Sequence, residues 1–103
     1  MSKVHRVRLR GGWVASALPD GGTRHARRFG APRALDPTET VVLTCDDLPS
    51  AATVTVNGTA LGVAEGGFAF DITTRLLPRN EVWIDTATDA PPGEVAVEFR
   101  AGE

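Results

Sequence analysis

The sequence predicts an all-β fold, an antiparallel β-sandwich of eight or nine short strands forming one domain over residues 1–103. Three observations predict it. Apolar and polar residues alternate with period two along most of the chain, so each segment has one apolar face and one polar face. β-branched residues fill many of the apolar positions, which suits a pleated, half-buried surface. Eleven glycines and seven prolines are spread along the chain rather than clustered, which favours frequent turns over long helices. Segments with a single apolar face bury it best by pairing two sheets face to face. A domain of this length buries roughly 65% of its unfolded surface, enough for one core without covalent staples.

Taken in order, His5–Arg10 sets Val7 and Leu9 against Arg6, Arg8 and Arg10. The segments around Trp13 and Arg27 alternate more weakly, and Pro19-Asp20-Gly21-Gly22 between them is turn chemistry. Val41, Leu43 and Cys45 share a face, which makes Cys45 a core thiol rather than a nucleophile. After the Asp47-Leu48-Pro49-Ser50 turn, Val54 and Val56 oppose Thr53, Thr55 and Asn57. Asn57-Gly58 supplies two neighbouring residues that tolerate positive φ, as a type I′ hairpin requires. Beyond Gly66-Gly67, the residues Phe68, Phe70 and Ile72 face one way. Only Thr73–Asn80 could turn helically, and Pro78 would stop it within about two turns. Val82 and Ile84 oppose Trp83 and Asp85, so Trp83 is expected to point outward. Following Pro91-Pro92-Gly93, the residues Val95, Val97 and Phe99 oppose Glu94, Glu98 and Arg100.

Composition is ordinary, with 42% apolar and 23% charged residues. A single cysteine excludes an internal disulfide. The charged start of the chain lacks the apolar stretch of a signal peptide, and no apolar run nears the roughly 18 residues of a membrane span, so a cytoplasmic protein is expected. The net charge of −2 conceals an asymmetry: residues 1–33 carry eight basic side chains against Asp20 alone (+7), and residues 34–103 carry three arginines against twelve acids (−9). Such a split suits either nucleic acid on a basic arm or pairing between the halves of one fold. Arg6, Arg8 and Arg10 beside Glu94 and Glu98 favour pairing, which weighs against nucleic acid as a partner.

Residues 52–85 carry a more specific pattern. Val56-Asn57-Gly58, Leu61-Gly62, Phe70-Asp71-Ile72-Thr73, Leu76-Leu77, and Asn80 ahead of Val82 and Ile84 follow one another in order. This resembles the amino-terminal sugar-binding jelly roll of glycoside hydrolase family 2, which includes β-galactosidases, β-glucuronidases and β-mannosidases. The resemblance covers about residues 40–87 and implies a galactose-binding-like jelly roll. It implies no hydrolysis, because the catalytic carboxylates of that family lie on a separate barrel with no counterpart in this sequence; glycosidic cleavage needs two carboxylates set across the bond, and Asp71, Glu81 and Asp85 read as solvated strand acids. The motif also has a scaffold reading: Asn57-Gly58 makes the turn, Asp71 and Thr73 cap a bend, Leu76 and Leu77 plug the core, and Asn80 accommodates a chain reversal.

No catalytic, metal or cofactor site is expected. His5 and His25 have no Cys, Asp or Glu beside them at ligand spacing, and Asp46-Asp47 with Asp71 is a thin basis for calcium. The candidate ligand site is Arg24, His25, Arg27, Arg28 and Phe29 with Trp13, since arginine forks grip carboxylate or phosphate and aromatics stack on a sugar or a base. The expected function is a non-catalytic binding or interaction module, with carbohydrate as first ligand class. The alternative is a structural module that docks to an enzyme or self-associates, with a homodimer through Trp83.

Overall fold

The computed structural model describes residues 4–31 and 37–101. Among them run nine strands: β1 Val4–Arg8, β2 Val14–Ala17, β3 Thr23–Gly30, β4 Thr40–Cys45, β5 Ala52–Val56, β6 Thr59–Ala64, β7 Phe68–Asp71, β8 Arg79–Thr86 and β9 Val95–Arg100. One 3-10 turn, Thr73–Arg75, is the only helical segment among the described residues, which contain no helix long and apolar enough to cross a membrane. All pairings are antiparallel, in a four-stranded sheet ordered β1-β9-β4-β7 and a five-stranded sheet ordered β2-β3-β8-β5-β6. The all-β sandwich expected from the alternation is the fold observed.

The two sheets meet where the sequence places its apolar faces. Val41, Leu43 and Cys45 of β4, with Val95, Val97 and Phe99 of β9, face Val54 and Val56 of β5 and Val82 and Ile84 of β8, all buried. Phe68 and Phe70 pack partly against this core with their rings 5.4 Å apart. Burial of these side chains is the main driving force for the fold, at roughly 25 cal/mol per Å² of apolar surface. Cys45 is buried, its thiol donates to the Asp47 carbonyl at 3.4 Å, and burial pushes its pKa up, so the thiol form is favoured.

The first and last strands are neighbours, and their charged rows pair as expected. Arg6 bridges Glu94 and Glu98 at 3.1 Å each, while Arg8 and Arg10 reach Glu94 at 3.3 and 3.5 Å. Arg100 adds a 2.7 Å contact to Glu98. The basic row of the amino-terminal third is thereby matched by Glu94, just ahead of β9, and by Glu98 within it.

Two sequence expectations change. β1 ends at Arg8, because Leu9 turns into the core and Gly11 and Gly12 follow with φ of +66° and +70°. Leu76 packs against the core, but Leu77 is 53% exposed and plugs nothing. The bend after β7 turns only Leu76 of the two leucines inward.

Candidate functional site

The Asn57-Gly58 turn joins β5 to β6 with φ of +52° and +81°, the positive pair a type I′ turn needs. The Asn57 side chain then does a second task. Its amide donates to the Arg75 carbonyl and to Asn80 Oδ1, both at 2.9 Å, and its oxygen accepts from the Glu81 amide at 2.9 Å. Asn80 is buried, accepts from the Leu77 amide at 2.9 Å and donates to the Leu77 carbonyl at 2.9 Å. It therefore acts as a buried clamp at the start of β8, not as a residue tolerating a chain reversal. Asp71 accepts from the Thr73 amide and hydroxyl at 2.9 and 2.6 Å, and those two bonds hold its carboxyl below the usual range. The Thr73 hydroxyl oxygen in turn accepts from the Val41 amide at 2.8 Å. The polar residues of the 52–85 pattern thus bind one another and the backbone.

Strand β3 divides the candidate ligand residues between two faces. Its register on β8 pairs His25 with Ile84, Arg27 with Val82 and Phe29 with Asn80, three of the four buried residues of β8. His25, Arg27 and Phe29 therefore lie on the inner side. Arg24, Ala26 and Arg28 pair with Asp85, Trp83 and Glu81 on the outer side. His25 is buried, with no partner for its Nε2 among the described residues, and Phe29 packs against the core. Arg27 leans toward the open edge, where its guanidinium donates to the carbonyls of Gly11, Arg28 and Arg10 at 2.7, 3.0 and 3.3 Å. Trp13 packs on the core and donates its indole N–H to the Leu9 carbonyl at 2.8 Å. The structure does not bring all six into one patch.

On the outer side, Arg24 grips Asp85 in a fork, with Nε and Nη2 donating at 2.9 and 3.1 Å. This hydrogen-bonded pairing raises the Arg24 pKa still further above its ordinary value. The same guanidinium lies 4.0 Å from the centre of the Trp83 ring. Trp83 points outward as its alternation implies, but a cation covers one face of its ring.

Arg28 is different. Its side chain is 88% exposed and its nearest acid, Glu81, stands 3.7 Å from Nε. It borders a depression of about 490 Å³ lined by Gly12, Val14, Ala26, Arg27, Arg28 and Glu81. The apolar side chains Val14 and Ala26 supply a patch of floor, Arg28 a donor fork, and Glu81 a carboxylate acceptor. Gly12, Val14, Ala26 and Glu81 were not singled out as ligand residues by the sequence; the legible signal was the opposite charge of Arg28 and Glu81 on strands that turn out to be neighbours. Among the described residues no three His, Cys, Asp or Glu side chains gather to hold a metal ion.

No protein-family model matches the sequence, and no curated protein matches it. Solved structures do resemble the fold. A β-glucuronidase of Bifidobacterium dentium, complexed with coumarin-3-O-glucuronide, superposes with a TM-score of 0.77 at 16% identity, covering 93% of this chain and 30% of that one. An FMN-binding β-glucuronidase of Facaelibacterium prausnitzii L2-6 superposes with a TM-score of 0.78 at 19% identity, over 93% of this chain and 22% of that one. The expected likeness to a glycosidase β domain is present at the level of fold, and the chain spans less than a third of either enzyme.

Proposed function

We propose that the chain is a non-catalytic binding module whose ligand is a carbohydrate, held at the outer depression beside Arg28. The observation that carries this reading is the exposed Arg28 guanidinium, loosely set against Glu81 at the rim of a partly apolar hollow. A sugar ring offers C–H faces to Val14 and Ala26, and its hydroxyls can accept from Arg28 and donate to Glu81. The fold shared with two β-glucuronidases supports a carbohydrate context, while the catalytic activity of those longer enzymes is not part of the proposal. Of the other candidate residues, Arg27 lines the hollow and fixes the loop that carries Gly12, and Phe29 anchors β3 from below.

A glycan array followed by calorimetric titration of the best ligand tests this. Binding that weakens at least about tenfold in Arg28→Ala, with unfolding unchanged, is the expected result. A folded chain that binds no glycan at millimolar concentration contradicts it.

A further inference from the structure

Four strands form the edges of the two sheets, and they are not equally defended. β1 presents Arg6 and Arg8, and β7 ends in Asp71. β6 carries a register shift opposite Val54 and Thr55, a bulge that spoils its edge for pairing. β2 has none of these devices. Its sequence Val14-Ala15-Ser16-Ala17 contains no charge and no proline, and all four residues are exposed, Val14 by 66%. Ala15 and Ala17 lie on the inner side by register yet remain exposed, so β2 overhangs the opposite sheet.

The hydrogen-bonding groups that it turns away from β3 can be identified. The Leu18 amide donates to the Gly22 carbonyl at 2.8 Å, and the Leu18 carbonyl accepts from Gly21 at 3.0 Å, so residue 18 faces β3. Alternation then turns Ser16 and Val14 toward β3 and leaves the N–H and C=O of Ala15 and Ala17 pointing outward.

We infer that β2 pairs with β2 of a second copy of this chain, antiparallel about a two-fold axis through Ala15, to make one continuous ten-stranded sheet. Side chains opposite each other must lie on the same face, which restricts the register to one that places like faces together. Centring it on Ala15 lets the two Ala15 residues exchange both backbone bonds. It sets Val14 opposite Ser16 of the other copy and Trp13 opposite Ala17, a larger side chain against a smaller one each time. Charge selects the same arrangement. Residues 11–19 are uncharged, bounded by Arg10 and Asp20. The two-fold brings the Arg10 end of each copy toward the Asp20 end of the other, with the Arg10 side chain still 71% exposed beside Glu94. So short a seam gives a weak dimer, with Kd at or above about 10 μM.

The inference is independent of the carbohydrate reading and uses neither Trp83 nor Arg28. Sedimentation velocity from about 10 μM to about 1 mM, with amide exchange at both ends of that range, tests it. A reversible monomer–dimer equilibrium is expected, with the Ala15 and Ala17 amides protected only at high concentration and the β6 amides indifferent. Ala15→Lys sets two ammonium groups against each other and should weaken the dimer at least about tenfold, with a monomer fold unchanged by circular dichroism. Ala15→Pro removes an outward N–H without touching a β3 bond and should do the same, and Arg10→Glu should weaken the dimer while leaving β2 intact. A chain that stays monomeric at about 1 mM overturns the inference, even if β2 takes up a strand of some other protein. So does a dimer that Ala15→Lys and Ala15→Pro leave intact, or one whose protection maps to Trp83.

Discussion

Replacing Asn80 with aspartate keeps the shape of the side chain and turns its donor end into an acceptor. In the native protein that end faces the Leu77 carbonyl at 2.9 Å, inside a site almost closed to water. The carboxylate would meet an oxygen with no proton between them, and burial would deny it compensating hydration. Asn80→Asp should therefore cost on the order of 3 kcal/mol in urea unfolding, more than Asn80→Ala at about 2. Equal losses in the two variants would show that the amide donates nothing of value. Asp71 gives the acid-side counterpart. Its folded pKa lies below the unfolded one, so its contribution is fully present above the unfolded pKa and is lost as pH falls through the folded value. Wild type and Asp71→Asn should differ in stability at neutral pH and begin to converge only as pH falls below about 4. A gap that persists into acid would remove the Thr73 bonds as its cause.

At the scale of the strand, β3 shows what was legible and what was not. The strands with one apolar face, such as β4 and β8, could be read directly, because Val41, Leu43, Val82 and Ile84 leave only one way to face the core. Arg24-His25-Ala26-Arg27-Arg28-Phe29 offers no such choice, since both of its alternating faces are polar. Residues adjacent in sequence looked like one cluster, yet period two sends neighbours to opposite sides of the sheet. Which set turned inward was decided by pairing with β8, a long-range contact that local pattern does not contain. The clamp formed by Asn57 and Asn80 was visible only as turn chemistry, because its partners come together across more than twenty residues of chain. A pair of substitutions separates the two faces. Phe29→Ala should lose about 2 kcal/mol by removing a ring packed on the core, whereas Arg28→Ala should stay within about 0.5 kcal/mol of wild type. The opposite ordering would mean that the faces of β3 are exchanged.

For the whole molecule, the charge asymmetry and the hydrophobic core express one arrangement. Bringing the chain ends together as β1 and β9 neutralises Arg6 and Arg8 against Glu94 and Glu98, and the same pairing places Val95, Val97 and Phe99 over the core. That leaves the outer side of the five-stranded sheet as the surface with a hollow and a loosely held cation. Amide chemical-shift mapping during titration with the best-binding glycan interrogates that surface most directly. Shifts should gather on Gly12, Val14, Ala26, Arg28 and Glu81 and leave the β1–β9 sheet silent. Shifts centred on that opposite sheet, or scattered through the core without a cluster at Arg28, would contradict it.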